Sequence, residues 1–426
     1  MYLKPIYLIY FLFFPVIGHA YLDPGTGSLL IYAVVGVAAS VVFALRNVWH
    51  LFLSLLFSGR SSVFLKEELP DLVFHSEGGK YWQVFEPVIT AWISKGKKCA
   101  YITPDMNDPA FMAAKDNELL KIIRPGKEML TISYLNKIKT KVLVSTTPGL
   151  DVYMWKRSKN VNRYVHLFHA PTSVAFYEKY ALSFYDDILT VSPFHREEID
   201  SLDQKRNLPG KKFYPTGVTY FDYMLREIKN HTRSRNEFTV LYAPTWGSRS
   251  SLTLYGSKII DILVSENIPL IFRPHPQSEI SDKQIMDIIR EKYGSNPLVT
   301  FDRNRTGLVS MTNSDILITD FSGILYDYAF LFLKPIILTT DEAPVAGYEA
   351  RDYKFIPWEI ETARQLSYDL GGDPENIVKI LEKIRTENKE SSEEEIISFR
   401  DNNIYNYGKA GEAAANHLEV ILGELE

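Results

Sequence analysis

The sequence predicts an α/β protein with two doubly wound, Rossmann-like domains facing a cleft, preceded by an N-terminal membrane segment. Three observations carry this. The chain has 426 residues, more than one hydrophobic core usually organises. From residue 61 onward, short apolar runs alternate with amphipathic stretches, the pattern of parallel strands buried on both faces and joined by helices. The stretch before it is almost uncharged.

The N-terminal stretch has two parts. Residues 6–17, "IYLIYFLFFPVI", follow Lys4 and precede the small residues Gly18 and Ala20, the layout of a secretory signal cleaved after Ala20. After the turn "YLDPGTGS", residues 29–57 are apolar except at Arg46, Asn47 and His50, enough for one span. Either residues 1–20 are a signal and 21–60 an anchor, or the two form an uncleaved helical hairpin. Arg46, Arg60 and Lys66 lie beyond the span, which predicts a cytoplasmic location for the rest of the chain at the inner membrane. "DPGTGS" lacks the Lys and preceding strand of a phosphate-binding P-loop, so it reads as a turn.

Strands are expected at "DLVFHS" (71–76), "KCAYIT" (98–103), "KVLVST" (141–146), "YVHLFH" (164–169), "DDILTVS" (186–192) and "KFYPTG" (212–217). A second series follows at "FTVLYAPT" (238–245), "PLIFRPHP" (269–276), "LVTF" (298–301), "DILITD" (315–320) and "PIILTT" (335–340). Helical spacing appears between them, for example in residues 81–96, 219–228, 283–293 and 324–333. The charged stretch 226–237 separates the series. The reading is therefore one Rossmann-like domain over 61–230 and a second over 231–395. A charged, solvated stretch then leads to a C-terminal helix, the segment 396–426 packing back on the first domain. Facing Rossmann-like domains of this kind are the GT-B architecture.

Composition narrows the function. The formal net charge is −5, which gives no electrostatic basis for non-specific nucleic-acid binding. The single cysteine, Cys99, allows neither an intramolecular disulfide nor a cysteine-based zinc site. No Asp-x-Asp metal signature, G-x-G-x-x-G or G-x-S-x-G occurs, so no metal or other cofactor is expected.

In open parallel sheets, ligands bind where the carboxyl ends of strands meet the following loops. Four loops stand out. His169 ends the strand in "LFHAPTS" and suits a general base, or is simply a packed imidazole. In "LYAPTWGS", Thr245 and nearby amides can meet a phosphate, or make a plain turn. In "FRPHPQ", prolines flank His275 and stiffen its backbone, and Arg273 stands two residues away, a pairing suited to a diphosphate or to a structural bend. In "ITDFSGILYDY", Thr319 and Asp320 end a strand and Ser322 and Gly323 open a helix. Ser322 either caps that helix or belongs to an anion cradle. Asp327, one turn in, faces a ribose hydroxyl or solvent.

These stretches in this order resemble the CDP-glycerol glycerophosphotransferase family, the teichoic-acid primases and polymerases. The matching residues are Phe168–Ala170, Tyr242–Trp246, Arg273–Pro276, "TDFSGILYDYAFLFLKP" from Thr319 to Pro335, and Gly408–Ala410. The likeness covers about residues 160–415. Ala170 and Gly323 replace a Gly and a Ser of the family pattern. The resemblance implies transfer of an alditol phosphate from a CDP-linked donor to a lipid-linked or polymeric acceptor. It implies a donor site at Thr245, Arg273, Thr319, Asp320, Ser322, Gly323 and Asp327. His275 and Arg273 would stabilise departing CMP, and His169 would take the acceptor's proton. A UDP-sugar enzyme of the same fold, epimerase-like in "PTGVTYFDYML" (215–225), is the alternative; a membrane-anchored scaffold is a third reading.

Overall fold

The computed structural model describes residues 68–304, 306–340, 348–352, 357–387 and 389–426. The expected signal and membrane anchor lie outside them. Among the described residues, no helix is long and apolar enough to cross a membrane.

Two all-parallel sheets form within the unit Ser61–Glu426. The first contains β1 (Leu72–His75), β2 (Cys99–Ile102), β3 (Leu120–Ile123), β4 (Thr140–Ser145), β5 (Val161–Leu167), β6 (Asp187–Thr190) and β7 (Lys212–Pro215), in the order β3-β2-β1-β4-β5-β6-β7. The second contains β8 (Val240–Ala243), β9 (Leu270–Phe272), β10 (Val299–Phe301), β11 (Ile316–Thr319), β12 (Ile336–Leu338) and β13 (Tyr368–Asp369), in the order β10-β9-β8-β11-β12-β13. Each is doubly wound. The strand order reverses between β1 and β4 in one sheet and between β8 and β11 in the other. The loops leaving those strands diverge and open a crevice at each switch point.

Central strands such as "LVFH", "VLYA" and "ILIT" are buried along their whole length, which explains their unbroken apolar runs. β3 and β13 were not among the expected strands. Both are edge strands, and each carries partly or fully exposed positions, so their apolar signal is weak.

Helices α1 (Trp82–Ser94), α2 (Pro193–Arg206), α3 (Thr219–Lys229), α4 (Ile324–Phe332), α5 (Lys389–Asn403) and α6 (Ala410–Gly423) bear on the site and the core, with further helices between them. α5 corrects the reading of its charged sequence as a plain solvated stretch. It is a regular helix that buries Ile396 and leaves most of its charges outside. α6 lays Ala414, Ala415, Leu418 and Ile421 into the core formed by α1 and the first sheet. The approach to α6 passes hard against Gly217, whose φ is +97°; a Cβ there would stand 2.1 Å from the Tyr405 carbonyl oxygen, so only glycine fits.

One core runs from Val73 and Leu143 of the first sheet through Phe221 of α3 to Phe330 of α4 and Leu317 of the second. Cys99 is buried in β2, and burial pushes its thiol up to about 12. It is a packing residue and no nucleophile.

Candidate active site

A pocket of about 410 Å³ opens at the switch point of the second sheet. It gathers Arg273 and His275 after β9, Asp302 and Asn304 after β10, and Ser322 and Asp327 after β11.

Arg273 is held before any ligand arrives. Its Nη1 donates to Asp302 Oδ2 at 2.7 Å and to the Asn304 carbonyl at 2.9 Å. Asp302 also accepts from the Asn304 amide and the Ser310 hydroxyl, and these donors keep its carboxyl below the usual range against the effect of burial. The guanidinium is thus oriented by one edge, leaving other donors free to meet an anion.

His275 has its ring fixed from the other side. The Gln277 amide donates to Nδ1 at 3.1 Å, which puts the proton of the neutral ring on Nε2. Partial desolvation lowers its pKa, so near neutral pH the ring is a neutral Nε2–H donor. Pro274 and Pro276 stiffen the loop, and the His275 amide is tied to the Pro244 carbonyl at 3.1 Å.

The question posed by Ser322 has a definite geometry. Gly323 occupies the N-cap position of α4, and no side chain caps the helix. The first turn begins with the Leu325 amide donating to the Ser322 carbonyl, so the amides ahead of it open outward as an anion-favouring helix start. Gly323 has φ −57°, and a Cβ would meet open space. The backbone does not demand glycine here; the position is simply uncovered.

Asp327 is half-buried in the pocket, and burial raises its carboxyl from 3.8 to about 7, opposed by a hydrogen bond from Tyr220. Tyr220 belongs to α3, the helix following the first sheet, and sequence reasoning did not find it. Unfolded, this carboxyl ionises near 3.8. Folded, it keeps its proton to about 7, so folding takes up a proton between those values. The sign follows: Asp327 makes stability fall as pH rises from about 4 to about 7. Urea midpoints measured at pH 5 and pH 7.5 are expected to differ less in Asp327→Asn than in the parent chain.

Three expected donor contacts need correction. Asp320 is fully buried and turned away from the pocket. Its carboxylate accepts from the Thr245 amide at 2.8 Å, the Ser251 amide at 2.8 Å and the Ser251 hydroxyl at 2.9 Å. Thr319 donates its hydroxyl to the Ala243 carbonyl at 2.7 Å. Thr245 has its amide committed to Asp320 and is absent from the pocket lining. These residues lock the loop after β8 to the end of β11. Asp320→Ala would strand two amides and is expected to cost about 2–4 kcal/mol, read as a lowered unfolding midpoint. Lys334, from the "KP" ending the motif, is likewise structural: it caps carbonyls of Met311 and Ser314 at 2.8 and 2.6 Å.

His169 stands apart from this pocket, at the carboxyl end of β5. Its ring meets the Tyr81 ring edge-on at 5.6 Å, and its buried Nδ1 has no partner. Burial, assisted by the Lys80 charge, lowers it to about 4. It is therefore a neutral imidazole at pH 7, able to accept a proton. His166, three residues earlier, is packed among Phe168, Tyr177 and Tyr185 instead.

The pocket at the second sheet's switch point places Arg273 and His275 beside Ser322 and Asp327, a lining whose size and donors suit a diphosphate. Residues 184–421 match the family model of CDP-glycerol:poly(glycerophosphate) glycerophosphotransferase. The chain belongs to that family and is an enzyme of the glycerophosphotransferase class. Among solved structures it is similar to a His-to-Asn variant of the wall teichoic acid polymerase TagF, at 16% identity and TM-score 0.53, over 84% of this chain and 90% of that one. The same variant soaked with CDPG for 30 minutes gives 14% identity and TM-score 0.54, over 90% and 98%. The UDP-GlcNAc 2-epimerase of Methanocaldococcus jannaschii gives 12% identity and TM-score 0.53, over 83% and 99%. At these identities the likenesses concern the fold. No curated protein matches the chain.

Proposed function

We propose that this enzyme moves a glycerol phosphate, or a similar alditol phosphate, from a CDP-linked donor to a lipid-linked or polymeric acceptor of the cell envelope. The observation that carries the reading is the convergence on one pocket of Arg273 and His275, from the loop after β9, with Ser322 and Asp327, from the loop and helix after β11. The family match supports cytidine as the base. Residues 21–60 tether the chain to the inner membrane, with the catalytic part cytoplasmic.

In this reading the donor diphosphate lies against the amides at Ser322 and Gly323, beside Arg273. The acceptor hydroxyl attacks the β-phosphorus. A new P–O bond forms, the bond to the α-phosphate oxygen breaks, and CMP leaves with the electron pair. His169 takes the hydroxyl proton. Arg273 and the His275 Nε2–H meet the charge that grows on the leaving phosphate. No step requires a metal, although a divalent ion carried in with the donor is compatible with it.

The test uses membranes containing the chain and CDP-glycerol labelled in its glycerol. Release of CMP with label passing to a membrane-bound product is expected. Tight binding of UDP or UDP-N-acetylglucosamine, with no response to CMP or CDP-glycerol, would replace this reading by a UDP-sugar enzyme.

A further inference from the structure

The loop that carries His169 is fastened from both halves of the fold. On the side of the first sheet the holds come from α2. The His195 ring stacks flat on Phe168 at 3.8 Å and donates from Nε2 to the Thr172 carbonyl at 2.8 Å. Its Nδ1 accepts from the Val191 amide at 3.2 Å, which fixes that tautomer. Glu198, further along α2, accepts from the Ser173 hydroxyl at 2.5 Å and from the Val174 amide at 3.0 Å.

A further hold comes from the other half. The Ser173 amide donates to Glu359 Oε1 at 2.8 Å. Glu359 belongs to the helix Trp358–Leu366, in the crossover between β12 and β13. Its backbone carbonyl accepts from the Tyr326 hydroxyl at 3.2 Å. Tyr326 stands on α4, immediately before Asp327 of the donor pocket. Trp358 packs the same bridge, its ring stacked on Phe194 of α2 at 4.4 Å and on Tyr326 at 5.3 Å. An unbroken series of contacts thus runs from the first turns of α4, through Tyr326 and Glu359, to the loop of His169.

Glu359 is 6% exposed, and its Oε2 is buried without a partner. Burial and the Glu198 charge push its carboxyl well above the usual range, so at neutral pH it is the uncharged acid. A carboxyl half satisfied in this way adds little to stability. What it adds is a fixed register between the Ser173 amide and α4. The same crossover makes an outer contact as well, where Asp352 pairs with Lys179 and Lys205, each at 3.3 Å.

We infer that Glu359 is a positioning residue of the transfer: by tying the Ser173 amide to α4, it sets the His169 loop in register with the donor pocket. The inference takes the role of His169 from the transferase reading; the hold on the loop is measurable without it.

The experiment uses the full chain in detergent and compares Glu359→Ala, Glu359→Gln and Glu359→Asp. It reads CDP-glycerol turnover, CMP binding by calorimetry and hydrogen exchange of peptides spanning 169–176. Glu359→Ala is expected to lower kcat by about 10–100-fold through a misplaced base, with CMP affinity unchanged. Exchange across 169–176 should speed up by about tenfold, as local opening becomes easier. Glutamine has the shape of the uncharged acid and keeps the accepting oxygen, so Glu359→Gln should restore both readouts to near the parent values. Glu359→Asp withdraws that oxygen by one methylene and should behave as alanine does, which serves if the alanine variant does not fold. In a His169→Ala background the Ala and Asp variants should lower kcat no further, because they act through that side chain. Asp352→Ala loosens the same interface away from Ser173 and should keep the parent kcat. Equal losses in both backgrounds, an equal loss in Asp352→Ala, no rescue by glutamine, or parent-like exchange in the Ala and Asp variants would overturn the positioning role. Parent-like kcat in His169→Ala itself would sink the base assignment, while faster exchange in the Glu359 variants would still show that this residue sets the loop.

Discussion

Replacing His275 by alanine is expected to lower kcat by about 10²–10³-fold, the usual effect of deleting one preorganised donor to developing charge. CMP affinity should change far less, because the ring's contact strengthens only as the leaving phosphate gains charge. The structure fixes each part of this. Nδ1 is occupied by the Gln277 amide, so the one mobile proton is on Nε2. The loop is clamped by two prolines and by the bond to the Pro244 carbonyl, so the donor is in place before reaction. Arg273→Ala should behave differently, losing both binding and turnover, since its charge meets the donor in the ground state too. It would also leave Asp302, now bonded to Arg273 at 2.7 Å, as an uncompensated carboxylate in the pocket wall. Single-turnover rates measured with saturating CDP-glycerol separate the two effects. Equal loss of affinity in both variants would contradict the division of labour.

The residues show where sequence reasoning succeeds and where it stops. Strand-ending loops are legible because apolar runs buried on both faces stop abruptly at Gly, Pro and polar residues. That logic named Arg273, His275, Ser322 and Asp327, which line one pocket. Thr319 and Asp320, named with them, do not line it, for a specific reason. A motif records that a residue is needed, not which way its side chain points. Asp320 sits next to the crevice in sequence, but it turns inward to tie down the Thr245 and Ser251 amides. Ser322 was ambiguous because a cap and a cradle ask for the same hydroxyl, and only coordinates show that no side chain caps α4.

The crevice beside His75 shows the same limit. "VFHSEGGK" looks like any strand end until the order β2-β1-β4-β5 shows that β1 and β4 flank the switch point. Strand order is a long-range property that a local pattern does not carry. Tyr220 was missed similarly: its significance lies in reaching Asp327 from α3, more than a hundred residues away. The C-terminal charged stretch was misread because α5 is nearly all polar and is held by little more than Ile396 and its neighbours, so hydrophobic periodicity gave no signal.

His169→Ala is expected to lower kcat by about 10²–10⁴-fold while leaving CMP affinity unchanged, because His169 is not part of the donor pocket wall. Its pH behaviour is the sharper test. In the free enzyme burial and the Lys80 charge hold the imidazole near 4. A base works when unprotonated, so kcat/KM should be flat from pH 7 down to about 5 and fall as pH drops through about 4. A base that weak transfers protons poorly at neutral pH. A phosphate carried by the bound acceptor would favour the imidazolium and so raise the His169 pKa toward the working range. The acid limb of kcat, which reports the complex, should therefore lie at higher pH than the acid limb of kcat/KM, which reports the free enzyme. Lys80→Ala removes the positive charge in both states and should move both limbs to higher pH, while His169→Ala should abolish both. Coincident limbs in the parent enzyme would show that nothing carried by the acceptor tunes the base.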